Sequence, residues 1–301
     1  MPVSDCISEI KKIILGKDAE IKQAICCLLS QGHLLIEDLP GVGKTTMALT
    51  LSKVFGLEFI RLQFTSDLLP ADITGISIFD SKKQQFEFHH GPVFTQVLLA
   101  DEINRATPKT QSALLEAMEE HKVSVDGKSF ALPEPFFVIG TQNPSYQLGT
   151  YSLPESQLDR FLMRIEMGYP DNSAERKLLS GQDPRQLIQQ LETIITASSL
   201  LEMQKAITHI HTSDEIINYL LKIIHNTRND NRFVHGLSPR AGMGLKKAAQ
   251  SWAFIHNRDY VLPEDVQAVF SAVCNHRLQC NEQTEKTVMQ LTNEIIQSIE
   301  V

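Results

Sequence analysis

The residues from Asp38 to Thr46 have the types and the spacing of a loop that binds phosphate. They follow the apolar run 34–36 and precede an amphipathic helical pattern. Glycines let a backbone fold closely around an oxyanion, and the free N–H groups at a helix start point towards it. Lys44 would then reach the β- and γ-phosphates of a nucleotide, and the Thr45 hydroxyl would bind Mg²⁺. The alternative is an ordinary tight turn, which the flanking strand and helix disfavour.

The whole loop is expected to contact the nucleotide, through Asp38, Leu39, Pro40, Gly41, Val42, Gly43, Lys44, Thr45 and Thr46. One position departs from the common pattern G-x-x-x-x-G-K-[ST], because Asp38 stands in place of the first glycine. We expect this acid to point away from phosphate.

Two acids, Asp101 and Glu102, follow the apolar run 97–100, which is predicted to be a buried strand. A parallel sheet presents its ligand site at this end of its strands. Asp101 would hold a water of the Mg²⁺ shell, since this ion retains several waters, and Glu102 would polarise the attacking water. The alternative is that the acids cap a helix predicted over 104–119. The neighbouring phosphate loop favours the catalytic interpretation.

Asn143 comes two residues after another predicted buried strand, over 136–141, and is followed by Pro144. At the same sheet edge as Asp101, its side chain would hold the γ-phosphate or the lytic water. An Asx-Pro turn is an equally common use of this dipeptide, so both interpretations stay open.

Two arginines are further candidates. Arg160 follows a short predicted helix; such a residue is usually solvated or salt-bridged, and becomes catalytic only when a neighbouring subunit places it against a phosphate. Arg240 comes just after a Ser-Pro helix start, where a cation works against the helix dipole. A nearby anion would explain Arg240, and the alternative is a merely exposed side chain.

The elements that must position these residues divide the chain at about residue 172. Strand and helix patterns alternate before it, with hairpins near 76–88 and 123–132, and only helical patterns follow it. We therefore predict domains over 1–172 and 173–301. The helical pattern near the N-terminus breaks at 14–17, which indicates a packed helical pair or, less simply, a position beside the base of a nucleotide.

The composition limits the function classes. The 301 residues carry a formal charge of −8, which disfavours a protein that coats nucleic acid or anionic membrane. No apolar run of about 18 residues is present, so no membrane span is predicted. The five cysteines show no C-x-x-C spacing, and the N-terminus carries charges that are atypical of a secretory signal. These features indicate a cytoplasmic location.

Taken together, these motifs resemble the MoxR family of AAA+ ATPases over essentially the full length. The most specific runs are 99–120, 140–144, 153–161 and 237–241. The resemblance implies an α/β fold: an αβα P-loop core, with a parallel five-stranded sheet in the order 5-1-4-3-2, and a C-terminal all-helical lid. The two hairpins are similar to the family's helix-2 insert and pre-sensor-1 hairpin.

The resemblance also implies roles for the candidate residues. It assigns Lys44 and Thr45 to Walker A, Asp101 and Glu102 to Walker B, Asn143 to sensor 1, Arg160 to the arginine finger and Arg240 to sensor 2. Lys44, Glu102, Asn143, Arg160 and Arg240 are thus the expected catalytic set. Arg240 would reach from the lid, which closes only when the phosphate is present to attract it, whereas Arg160 would act on the nucleotide of the adjacent subunit.

The function implied is hydrolysis of ATP, with Mg²⁺, to ADP and phosphate. The energy would drive chaperone-like remodelling or assembly of a partner protein by a hexameric ring, the partner being a client or a von Willebrand factor A domain protein. One alternative is a DNA-acting ring motor, which the acidic charge disfavours. Another is a nucleotide-gated scaffold without turnover, which Glu102 and Arg160 disfavour.

Overall fold

Five parallel strands form the central sheet of the protein. A computed structural model describes residues 2–143, 149–181 and 183–299. The strands are β1 (Leu34–Glu37), β2 (Phe59–Gln63), β5 (Val97–Asp101), β8 (Phe137–Gln142) and β9 (Met163–Ile165). They lie in the order β2-β5-β8-β1-β9 and all pair in parallel. Counted along the chain, this is the 5-1-4-3-2 order, so the predicted fold class is confirmed.

The middle strands are apolar because helices cover both faces of the sheet. Every residue of β5 is buried, as are all but the last residues of β1 and β8, whereas the edge strand β2 is more exposed. The carboxyl ends of the three middle strands meet at one edge, where Ile36 lies opposite Thr141 and Leu99 opposite Ile139. The loops after these strands are therefore neighbours.

The described residues of the half that contains the sheet form the helices α1 (Pro2–Ile13), α2 (Asp18–Leu29), α3 (Lys44–Val54), α4 (Pro70–Thr74), α5 (Pro108–Glu120) and α6 (Glu155–Leu158). The helix predicted over 104–119 is corrected. Residues Ile103–Arg105 form a separate 3-10 turn, and α5 begins only at Pro108. The proline disfavours a helical conformation for Thr107, which is extended.

Two antiparallel hairpins project from this half. The first joins β3 (Gly75–Asp80) to β4 (Gln85–His90), and the second joins β6 (Lys122–Val125) to β7 (Lys128–Ala131). The rings of Phe88 and Phe130 stack with their centroids 4.2 Å apart, so the two hairpins contact each other.

The chain after β9 is helical, as predicted for the lid. Its helices are α7 (Asn172–Ser180), α8 (Pro184–Gln190), α9 (Ala197–Ile207), α10 (Asp214–Asn229), α11 (Pro239–Ile255), α12 (Pro263–Cys274) and α13 (Val288–Ser298), with a 3-10 turn over Asn275–Arg277. Helix α11 packs against α12 and α2, and the Ser30 hydroxyl donates to Ser251 at 2.8 Å across the junction. Within the described ranges no helix has the length and apolar character for a membrane crossing.

Candidate functional site

The loop between β1 and α3 has the backbone shape that phosphate binding requires. Gly41 and Gly43 have φ angles of +89° and +97°, in the left-handed region, and Gly43 is the N-cap of α3. A Cβ on Gly41 would meet no described atom within 4 Å. The backbone angle, and not crowding by protein, is therefore what requires glycine there.

Lys44 is the first residue of α3, and only 8% of it is exposed. Its Nζ donates to the Asp38 carbonyl oxygen at 2.5 Å and to Asn143 Oδ1 at 3.2 Å. Burial lowers the pKa of Lys44, and the carboxylates of Asp38, Asp101 and Glu102 oppose that shift. Two neutral oxygens thus hold the ammonium at a position where phosphate oxygens would bind it more strongly.

Asp38 braces the start of the loop. One of its carboxylate oxygens accepts from the Leu39 amide at 2.7 Å, and the other accepts from the Gly168 amide, just after β9. These bonds tie the loop to the neighbouring strand. They agree with the expectation that this acid points away from phosphate, and its contact with nucleotide stays a prediction.

Asp101, which is 8% exposed, is held by two residues that sequence reasoning missed. The Thr141 hydroxyl donates to its Oδ1 at 2.6 Å, and Arg61 donates to its Oδ2 at 2.5 Å from Nη2 and 3.1 Å from Nε. Both partners come from strands adjacent to β5 in the sheet. The available signal was the hydroxyl of Thr141 at the end of an apolar strand.

The donor atoms fit Mg²⁺. A carboxylate and the Thr45 hydroxyl are the hard oxygen ligands that this ion prefers, and it normally completes its shell with waters and substrate phosphates. Across the residues that the structure describes, no group of three or more His, Cys, Asp or Glu side chains is placed to hold a metal ion. As candidate ligands, Asp101 and Thr45 would leave the rest of the shell to waters and substrate phosphates.

Glu102 has a backbone φ of +56°, which is unusual for a residue with a Cβ and costs on the order of 1 kcal/mol. Its amide donates to the Thr141 hydroxyl at 2.9 Å. One carboxylate oxygen accepts from Asn143 Nδ2 at 3.2 Å, and the other accepts from Gln63 and Arg105 at 2.9 Å each. The main chain is thus turned to bring this acid towards Asn143 and Lys44.

The alternative interpretation, in which Asp101 and Glu102 cap the following helix, is wrong. Glu102 precedes the 3-10 turn without a side-chain cap, and α5 starts six residues later, behind Thr107. Neither Asp101 nor Glu102 therefore caps that helix.

Asn143 connects the two halves of the site. Its Oδ1 accepts from Lys44, its Nδ2 donates to Glu102, and its carbonyl accepts from Asn104 Nδ2 at 3.1 Å. The side chain therefore bridges the lysine of the loop and the candidate water-polarising acid, which favours the functional interpretation. Pro144, which the turn interpretation needs, lies outside the described residues.

A second cluster holds the two arginines. Glu119, near the end of α5, accepts from Arg160 Nη1 and from Arg240 Nη1 at 2.9 Å each, one on each carboxylate oxygen. Arg160 also donates to the Leu115 carbonyl at 2.7 Å. Both arginines line a cavity of about 290 Å³, together with Lys247.

The same cluster shows where Arg240 lies in this structure: it pairs with Glu119, beside Arg160. The role that the resemblance implies for Arg240, which is to reach a nucleotide from the lid, stays a prediction. Helix α11 packs on α2, and its Gly244 lies so near the residue that precedes β9 that a Cβ there would approach the Leu162 side chain to 2.9 Å. The start of α11 is thereby directed at the end of α5.

A cavity of about 210 Å³ adjoins the phosphate loop, lined by Gly41, Val42, Gly43 and Thr46 and by apolar side chains that include Ile14, Leu15 and Met167. The break between α1 and α2 therefore faces the loop. This placement favours the interpretation in which residues 14–17 lie beside a nucleotide base, over that of a helical pair that only packs. The same cavity lining contains neither Arg160 nor Arg240.

Known proteins resemble this chain over most of its length. The family model of the ATPase family associated with various cellular activities (AAA) matches residues 33–163, and that of the AAA lid domain matches residues 225–299. Uncharacterized protein YeaC of Bacillus subtilis is 43% identical over 298 residues, which are 98% of this chain and 93% of that protein. Chaperone MoxR1 of Mycobacterium tuberculosis is 41% identical over 283 residues, covering 90% of this chain and 74% of that protein.

A solved structure has the same architecture. The crystal structure of an ATPase candidate from Cytophaga hutchinsonii matches with a TM-score of 0.90 and 35% sequence identity, and the match covers 99% of this chain and 94% of that one.

Proposed function

We propose, since the chain belongs to the MoxR family of AAA+ ATPases, that it hydrolyses ATP to ADP and phosphate and uses the energy to remodel or assemble a partner protein. The observation that carries the proposal is the bridge from Lys44 through Asn143 to Glu102. It joins a phosphate-binding cation to an acid able to polarise water, and an ordinary strand-helix turn needs no such connection.

In the proposed mechanism the amides of residues 38–46 bind the triphosphate, with Lys44 against the β- and γ-phosphates. Thr45 would bind Mg²⁺ and Asp101 would hold a water of its shell, and the ion would neutralise charge at the phosphates. The γ-phosphate would compete with Asn143 for the Lys44 ammonium. Asn143 would then leave Lys44 and bind the γ-phosphate or the water. Glu102 then polarises the water for attack, after leaving Gln63 and Arg105.

The two arginines serve the neighbouring subunit in this proposal. Because Glu119 holds Arg160 and Arg240 side by side, whatever approaches one of them meets both. A triphosphate presented by an adjacent subunit would take the place of Glu119. Arginine fingers of this kind contribute about 10³–10⁵ in rate, so activity should depend on assembly, which we propose to be a hexameric ring.

The experiment that tests the proposal measures ATPase rate per subunit as a function of protein concentration. We expect the specific activity to rise steeply as subunits assemble. Mixtures of Glu102→Gln and Arg160→Ala subunits should exceed the sum of the two separate activities, because the former still supply Arg160 and the latter still supply Glu102. A specific activity that stays flat from monomer upward would exclude the action in trans.

The partner is proposed to be a protein client or a von Willebrand factor A domain protein. The formal charge of −8 gives no support to a nucleic-acid partner. Glu102→Gln subunits should hold ATP without hydrolysing it, so affinity capture with this variant in the presence of ATP tests the partner class. Capture with Lys44→Ala, which should not hold ATP, is the matched control. Stimulation of the ATPase by DNA would point to the motor alternative.

Two further features belong to the proposal. We place the boundary between core and lid near residue 172, although α8 still contacts α1 and α3 of the core. We also place the protein in the cytoplasm, since all five cysteines are free thiols and four of them are buried.

A further inference from the structure

Arg277, the last residue of the 3-10 turn after α12, extends from the lid into the core. Only 6% of its side-chain surface is exposed. Its Nε donates to Asp159 Oδ1 at 2.6 Å, its Nη2 donates to the Phe161 carbonyl at 2.7 Å, and its Nη1 donates to the Leu162 carbonyl at 3.0 Å. A longer bond of 3.3 Å reaches the Asp159 carbonyl. These contacts lie on both sides of Arg160.

A guanidinium that is this enclosed must satisfy its donors, because leaving a charge unpaired away from water costs several kcal/mol. Arg277 donates one further bond, to the Val273 carbonyl of its own helical segment, and all its other acceptors belong to residues 159–162. The planar fork of arginine suits this arrangement, since its donors have fixed directions. The contacts of Arg277 therefore fix the backbone of residues 159–162, in addition to joining the lid to the core.

Other contacts hold the same segment. The His276 Nε2–H donates to the Phe161 carbonyl at 3.0 Å, and burial keeps this histidine neutral by lowering its pKa well below the usual range. The ring of Phe161 is fully buried against β8, where a Cβ on Gly140 would approach it to 2.9 Å. The sheet thus fixes the side chain next to Arg160, while the lid fixes the carbonyl.

Asp159 extends the arrangement to the second arginine. It pairs with Arg277 through Oδ1 and lies 3.6 Å from Arg240 Nε through Oδ2. Arg277 thereby contacts, directly or through one carboxylate, the surroundings of both arginines in the cluster.

We propose that Arg277 is a positioning residue for Arg160, through which the lid of one subunit sets the arginine that this subunit presents to its neighbour's nucleotide. The inference rests on the proposed function. It predicts an asymmetric defect: a subunit that lacks Arg277 is a poor donor of Arg160 but remains a normal acceptor, because its own phosphate loop and acids are untouched.

The test uses Arg277→Met and Arg277→Lys in the full-length chain. Each variant alone should lose at least tenfold in kcat, while the KM for ATP and the affinity for a fluorescent ATP analogue stay within about twofold of wild type. Lysine retains the charge but not the fork, so it should restore little of the rate. Wild-type kcat in the Arg277→Lys variant would overturn the role of the fork.

Mixing separates this role from a merely structural one. Arg277→Met subunits mixed with Glu102→Gln subunits should exceed the summed separate activities, because the latter present a correctly held Arg160 to intact sites. Arg277→Met mixed with Arg160→Ala should show no gain, since neither donates. A variant with a damaged fold or a damaged own site would gain nothing in either mixture, and that result overturns the inference.

The mixture of Arg160→Ala with Glu102→Gln separates two claims: that Arg160 acts on the neighbouring subunit, and that Arg277 positions Arg160. If this mixture gains activity and Arg277→Met with Glu102→Gln does not, Arg277 does not position Arg160, although the action in trans stands. If neither mixture gains, the proposed function itself fails at the interface between subunits. Should Arg277→Met not fold, as judged by its thermal unfolding, Arg277→Lys replaces it in every mixture with the same expected gains.

Discussion

Replacing Thr141 with valine should damage the site without changing its shape. Thr141 is fully buried, its hydroxyl donates to Asp101 Oδ1 at 2.6 Å, and the same hydroxyl accepts from the Glu102 amide at 2.9 Å. Valine has almost the same volume but neither bond. One substitution therefore removes the support of both acids at once.

The expected effect of Thr141→Val on stability follows from the two hydrogen bonds of the Thr141 hydroxyl. A hydrogen bond to a charged group contributes about 1.5–3 kcal/mol, and a buried donor left without a partner costs about 1–3 kcal/mol. Asp101 keeps Arg61 on its other oxygen, so we expect the free energy of unfolding to fall by about 2–4 kcal/mol. Glu102 loses the bond that accompanies its left-handed backbone, and its displacement should lower kcat by roughly ten- to a hundredfold.

Urea unfolding and steady-state ATPase measurements check this prediction, with Thr141→Ser as the matched control. Serine retains both hydrogen bonds and loses one buried methyl group, so its stability should fall by only about 1 kcal/mol and its kcat should remain within a few-fold of wild type. If valine and serine give equal kcat values, the hydroxyl does not support the acids, and the reasoning is refuted.

Three further perturbations test other contacts. Arg61→Met removes a half-exposed guanidinium that competes for Asp101, so the Mg²⁺ concentration for half-maximal ATPase should fall by up to about fivefold; an increase would contradict the competition. Glu119→Gln weakens the ion pairs that hold the two arginines, so the protein concentration that gives half-maximal ATPase activity should fall. If that concentration rises, Glu119 is needed to hold the arginines in place. Burial lowers the pKa of His33 from 6.5 to about 4, so the unfolded chain binds its proton first as the pH falls. The free energy of unfolding should therefore decrease by about 3 kcal/mol as the pH falls from 6.5 to 4. Urea unfolding at several pH values should show a smaller decrease in His33→Gln, and an unchanged decrease would exclude His33 as the cause.

The parts of the site that could be predicted from sequence are contiguous. The loop 38–46 contains its glycines, lysine and threonine within nine residues, and Asp101 and Glu102 directly follow their strand. Local chemistry decides such motifs, because the strand ends that carry them must meet at one edge of a parallel sheet. The five-stranded order itself came from the resemblance and not from periodicity.

The residues that sequence reasoning missed act across the sheet or between domains. Arg61 and Thr141 support Asp101 only because β2 and β8 flank β5, which is a property of strand order. The pairing of Arg240 with Glu119 could not be predicted for a related reason. A Ser-Pro start predicts where a helix begins, but not against which element it packs, and here α11 packs on α2.

The charges of the second cluster do not cancel. Arg160, Glu119, Arg240, Asp159 and Arg277 form a chain of alternating sign, with three cations and two anions. Such a chain keeps one unit of positive charge that no member neutralises, beside a cavity that Lys247 also lines. An anion brought by another molecule is therefore attracted there, and a phosphate would bind both arginines more strongly than one carboxylate can. Because Arg277 and Arg240 come from the helical half and Glu119 and Asp159 from the half with the sheet, a movement between the two halves would change which of these charges are paired.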